Sequence, residues 1–177
     1  MGCYNIIYAD PPWKYRSGLI KGAARLHYPV MPLEDICNLP VGNLAAENCA
    51  LFLWATCPKL LESFEVIKAW GFEYKGVAFV WVKETPTQNK LWTGMGWWTR
   101  SGAELCLLAT KGNPKRFSKS VHQVIFSPVR EHSKKPDETR TRIVELMGDL
   151  PRIELFARQK PEGWDIWGNE LENDIEL

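Results

Sequence analysis

The chain has 177 residues, 45% apolar and 24% charged, which suits one hydrophobic core over residues 1–177 and excludes a disordered or fibrous protein. Its 22 Lys and Arg balance 21 Asp and Glu, for a formal net charge of +1. That balance excludes nucleic-acid binding through bulk positive charge and leaves only local patches.

"CYNIIYA" (3–9) is short, apolar and rich in strand formers, and it ends at Asp10-Pro11-Pro12, where a strand ladder cannot continue. A short helix is predicted near Leu33 to Leu39, where a proline precedes early acids. "CALFLWAT" (49–56) is almost wholly apolar and suits a strand buried on both faces. Leu60, Leu61, Phe64, Ile67 and Trp70 then recur at helical spacing up to Gly71. "GVAFVWVK" (76–83) is predicted as a strand, and the polar, Gly-rich and aromatic stretch 83–102 as a long loop, functional or mobile. "AELCLLATKG" (103–112) is a further strand. A helix is predicted from near Pro136 to Gly148, followed by a strand "PRIELFAR" (151–158) and a tail. The alternation gives an α/β fold with a mostly parallel sheet.

Cys3, Cys37, Cys49, Cys57 and Cys106 form no close pair and are odd in number, so no zinc knuckle or complete disulfide framework is expected. His27, His122 and His132 lack ligand spacing, and no metal site is expected. No apolar run approaches the roughly 20 residues that span a bilayer, and the N-terminus lacks the order of a signal peptide. The expectation is a reducing cytoplasm and no membrane.

In open α/β sheets, ligands collect outside the carboxyl ends of the strands, which is where Asp10 and Arg158 are predicted to fall. Asp10 can accept an amine hydrogen, the carbonyl of Asp10 or Pro11 can accept another, and Trp13 offers a flat face for stacking. Proline rings hold that backbone rigid. Together these residues would grip an exocyclic amine in the plane of an aromatic ring, as on adenine.

The segments "YADPPW", "LFLW", "WGFEYKGVAFVWVK", "ELCLLATKGNP", "EHSKKPDE", "RIELFAR" and "GWDIWGNE" occur in this order along almost the whole chain. In them the chain resembles the DPPW-type adenine-N6 methyltransferases, the family of the catalytic subunit of the eukaryotic messenger-RNA adenosine methyltransferase, and in particular their small bacterial or phage-type members. The resemblance implies a Rossmann-like methyltransferase fold in permuted order, with the catalytic strand first and "RIELFAR" last. It also implies S-adenosylmethionine as cofactor and site-specific methylation of adenine N6 in nucleic acid, DNA before RNA. Asp10, Pro11, Pro12 and Trp13 match the catalytic motif. Lys135 matches a lysine at the methionine end of the cofactor, with Lys134 beside it able to exchange roles. Asp10, Glu154, Phe156, Arg158, Asn169 and Glu170 match residues around the cofactor, although the messenger-RNA enzyme has glutamine at the position of Glu170. Tyr28, Lys83 and Glu104 match positions near the acceptor base.

Glu154 and Arg158 lie four apart, a spacing that puts both on one face of a continuous strand. Lys14, Arg16, Lys21 and Arg25 follow the motif, and Lys111, Lys115, Arg116 and Lys119 cluster later. On one rim they would form a groove for a phosphate backbone, and otherwise they are solvated loop charges. Trp97 or Trp98 is a further loop contact. The resemblance implies pairing with a second copy or a partner subunit. The alternative to an enzyme is an inactive nucleic-acid-binding subunit of a methyltransferase complex, which would have lost the acid or the tryptophan of the motif.

Overall fold

The structure, a computed structural model, describes residues 2–15, 30–88, 90–96, 98–131 and 134–177. Its seven-stranded sheet is built from β1 (Tyr4–Ala9), β2 (Ala45–Ala55), β3 (Glu73–Glu84), β4 (Ala103–Lys111), β5 (Val124–Pro128), β6 (Arg152–Leu155) and β7 (Asp165–Trp167). In space they run β5, β3, β4, β2, β1, β6, β7. β1 lies between β2 and β6 and is parallel to both, so the chain feeds strands to either side of it. That is a switch point of the kind where α/β sheets open a crevice.

The apolar runs are continuous because both faces of the central strands are covered. Ile7, Ala9, Leu51 and Leu53 pack into one core, beneath α1 (Leu33–Asn38) and α2 (Leu60–Ala69). Ile6, Tyr8, Phe52 and Trp54 point the other way and join Ile143 and Met147 of α3 (Glu138–Met147). α3 stops as predicted at Gly148, whose φ of 89° suits a residue without Cβ. Among the described residues no helix is long and apolar enough to cross a membrane.

The sheet is mostly parallel, with one reversal that matters for the site. β4 is antiparallel to both β2 and β3. It therefore begins where they end, with Leu105 opposite Ala55 and Glu104 opposite Trp81. A carboxylate at the start of β4 is thereby brought to the same end of the sheet as Asp10. Two strands lie outside the sequence expectations: β5, five residues ending in proline, and β7, three residues within the tail. Both are too short to show a period.

"RIELFAR" is not one strand. β6 ends at Leu155, and Phe156 has φ 60°, so Glu154 and Arg158 do not share a face. The turn is packed from outside by Gly168, where an added Cβ would lie 2.4 Å from the Ala157 carbonyl oxygen. Gly168→Ala is expected to cost about 1–3 kcal/mol and to lower the melting temperature by several degrees, as read by thermal unfolding. An unchanged melting temperature would show that the turn yields freely.

Candidate active site

Asp10 leaves the end of β1 and enters a cleft lined by Asp10, Pro11, Pro12, Trp13, Tyr15, Trp54, Thr56, Glu104, Lys135 and Arg158. The motif is held at three points, two on its backbone and one at the Trp13 indole. The Trp13 amide donates to the Pro11 carbonyl (2.9 Å), the Met31 amide donates to the Pro12 carbonyl (2.9 Å), and the Trp13 indole N–H donates to the Trp54 carbonyl (3.2 Å). The structure corrects one expectation here, because Trp13 is only 5% exposed. Its ring is mostly packed into the core and is not a free stacking platform. Tyr15, half-buried, lines the cleft with its hydroxyl 2.7 Å from Thr56 Oγ1 and the Lys59 ammonium 5.7 Å from its ring centre. Sequence reasoning passed over Tyr15, Trp54 and Thr56. The available signal was position: Tyr15 follows Trp13 by two, and Trp54 and Thr56 lie at and just past the end of the strand beside β1.

Four charges alternate from the floor of the cleft to Lys83 behind it. Asp10 Oδ2 lies 2.8 Å from Lys135 Nζ, which lies 3.2 Å from Glu104 Oε2, and Glu104 Oε1 lies 2.5 Å from Lys83 Nζ. Burial of the Lys135 ammonium opposes its charge, but Asp10 and Glu104 overcome that and hold it firmly protonated. Burial likewise works against the Glu104 carboxylate, and Lys135 and Lys83 outweigh it, so its pKa is lowered. For Asp10 burial wins over Lys135, and its pKa is raised. Below it Tyr8 is fully buried, and its hydroxyl accepts the Trp54 indole N–H at 2.7 Å.

The residues expected around the cofactor divide into three groups. Asp10, Lys135 and Arg158 line the cleft. Glu170 lies beside Arg158 with its Oε1 3.9 Å from Nε, Asn169 is exposed next to it, and the Phe156 ring packs edge-on against Trp167 at 5.4 Å. Glu154 is elsewhere: both of its oxygens are taken by Arg140, at 2.6 and 2.7 Å.

Of the residues expected near the acceptor, Glu104 lines the cleft, Lys83 stands behind it, and Lys14 is exposed as the chain leaves the motif. Tyr28 and Arg16 lie outside the described residues, as do Lys21, Arg25 and Trp97. Trp98 is 99% exposed. The single groove made from both basic stretches is corrected. Lys111 ends β4 opposite Cys49, the far end of the sheet from Asp10, and its ammonium donates to the Gly42 carbonyl at 2.9 Å. The amides of Phe117 and Ser118 bond Leu146 at the end of α3, also distant from the cleft. The later stretch does not reach the cleft, and Arg16, Lys21 and Arg25 of the earlier one lie outside the described residues.

Comparison with known proteins supplies the remaining observation. The MT-A70 family model matches residues 4–170. The type II methyltransferase M.MunI of a Mycoplasma species is 34% identical, over 98% of this chain and 81% of that protein. The N(6)-adenosine-methyltransferase MT-A70-like of Arabidopsis thaliana is 33% identical over all of this chain but 25% of its own length. The N(6)-adenosine-methyltransferase catalytic subunit METTL3 of Homo sapiens is 32% identical, over 97% of this chain and 29% of that protein. The chain thus spans most of the first relative and less than a third of the other two.

Proposed function

The chain belongs to the MT-A70 family, and from that premise we propose that it transfers a methyl group from S-adenosylmethionine to the N6 amine of an adenine in DNA. Membership of the family makes it an adenine-N6 methyltransferase. The observation that carries the mechanism is the Asp10 carboxylate, held on one side by Lys135 at 2.8 Å inside the cleft.

The adenine N6 lone pair is delocalised into the ring, so the amine is a poor nucleophile. With Oδ2 held by Lys135, Asp10 receives one amine hydrogen at Oδ1, and the Pro11 carbonyl receives the other beside the bond it already accepts from Trp13. Two acceptors fixed in advance draw the nitrogen toward a tetrahedral shape and fix the direction of its lone pair. The donor set suits the cofactor: Arg158 and Glu170 offer a donor and an acceptor to ribose hydroxyls, with Asn169 and Phe156 alongside, and Lys135 offers an ammonium to a carboxylate. When bound, S-adenosylmethionine supplies the electrophilic methyl group.

DNA is favoured over RNA because the chain spans most of a type II methyltransferase and only a quarter to three-tenths of the N(6)-adenosine-methyltransferases. An adenine must leave its stack to reach Asp10, and Lys14, exposed immediately after Trp13, is the cation offered to its phosphates. Lys14→Ala is expected to weaken nucleic-acid binding several-fold and to reduce the slope of log affinity against log salt by about one, as measured by fluorescence anisotropy across salt concentrations. An unchanged slope would take Lys14 off the phosphate path. A second subunit, another copy or a relative, is part of this reading, supported by the apolar tips Leu91, Met95 and Trp98 left exposed on the loop. The proposal is tested with labelled methyl donor and matched single-stranded DNA, duplex DNA and RNA. Label in DNA above RNA is expected, and label in RNA alone would overturn the choice of DNA.

A further inference from the structure

We propose that Lys83 is a positioning residue that locks the 85–102 loop to the charge ladder ending at Asp10, and is not itself a contact of the acceptor base. The inference rests on the methyltransferase reading above and deepens it. Lys83 does not line the cleft, whereas Glu104, to which its ammonium is paired at 2.5 Å, does. Its Nζ sits 4.8 Å from the Trp81 ring centre and 5.2 Å from that of Trp92, between a strand and the loop. Its backbone closes the same loop: the Trp92 amide donates to the Lys83 carbonyl at 2.9 Å, and the Lys83 amide donates to the Gly102 carbonyl at 2.8 Å. Gly94 keeps Trp92 in place, since an added Cβ there would lie 2.5 Å from the indole. One residue thus joins the middle and the end of the loop to the chain Lys83, Glu104, Lys135, Asp10.

The consequence follows from charge balance. With Lys83 present, two ammonium groups neutralise two carboxylates. Without it, Glu104 depends on Lys135 alone and draws that ammonium away from Asp10. Asp10 faces Lys135 from the segment before α3, Glu104 and the Cys106 thiol from β4, Arg158 from the turn after β6, and Glu154 of β6 more distantly. Burial already raises the Asp10 pKa, and a weaker hold by Lys135 raises it further. The carboxylate that must receive the amine hydrogen then ionises at higher pH.

The test measures methyl transfer against pH, and cofactor affinity by calorimetry, for the wild-type chain, Lys83→Met and Lys83→Arg. Lys83→Met is expected to lower kcat about 10-fold and to move the acid limb of the kcat profile up by about one pH unit. Cofactor affinity and the KM for nucleic acid should stay within about twofold, and Lys83→Arg should recover most of the lost kcat by retaining the charge. A Lys83→Met enzyme with wild-type kcat and an unmoved acid limb would overturn the positioning role. A raised KM with no movement of the limb would overturn it in favour of a direct acceptor contact. A wild-type chain that binds cofactor but methylates no nucleic acid, alone or with a partner subunit, would overturn the functional reading itself, and this inference with it.

Discussion

Asp10→Asn is expected to lower the single-turnover rate of methyl transfer by about 10³-fold while leaving the melting temperature within a few degrees of wild type. The asparagine side chain must turn its oxygen toward Lys135, which only donates, and this leaves its NH2 facing the acceptor amine. A donor then meets a donor where the wild-type protein offers an acceptor. The fold should tolerate the change because burial already works against the Asp10 charge, so its loss relieves a penalty. A rate within tenfold of wild type would mean that the motif's acid does not touch the reacting amine.

The second large effect is on stability. Lys135→Met is expected to cost about 3–5 kcal/mol near pH 8, because it leaves the Asp10 and Glu104 carboxylates beside each other without their shared cation. In a chain of this length that corresponds to a fall in melting temperature of about 10 °C. The dependence on pH gives the test its sign. In the wild-type protein the Glu104 pKa is lowered, so its contribution is present above the unfolded-state value and is lost as pH falls. In the variant both carboxylates have raised pKa values in the folded state, which takes up protons and is penalised only as pH rises through them. The deficit should therefore shrink between about pH 8 and pH 5. Thermal unfolding of both proteins across that range measures it, and a deficit independent of pH would place the damage in packing instead of charge. Activity should be lost at every pH where the variant stays folded.

The central strands were legible because each is a run of apolar residues that only burial on two faces explains, and Pro11 and Pro12 mark where β1 must stop. Helix ends were legible where one residue decides them, as at Gly148. Three features were hidden for physical reasons. Strand direction leaves no local trace, so nothing in "AELCLLATKG" says that it runs against its neighbours and delivers Glu104 to the cleft. The break at Phe156 is a single residue with positive φ, adopted by an aromatic side chain where glycine would have been the signal. The partners of Lys135 lie 125 residues away at Asp10 and on β4 at Glu104, and its ammonium joins those two carboxylates inside the protein. Whether the basic cluster at 111–119 joins the motif or is solvated could not be read from the sequence, because sequence distance says nothing about which end of a sheet a loop occupies.

The most direct measurement is the position of the transferred methyl group. Single-stranded and duplex DNA carrying adenine would be incubated with S-adenosylmethionine and either the wild-type chain or Asp10→Ala, then digested to nucleosides and resolved by mass spectrometry. N6-methyl-2′-deoxyadenosine from the wild-type chain and none from Asp10→Ala is the predicted result. A methyl group on another atom, or the same yield from both proteins, would contradict the assignment of Asp10 as the group that receives the adenine amine.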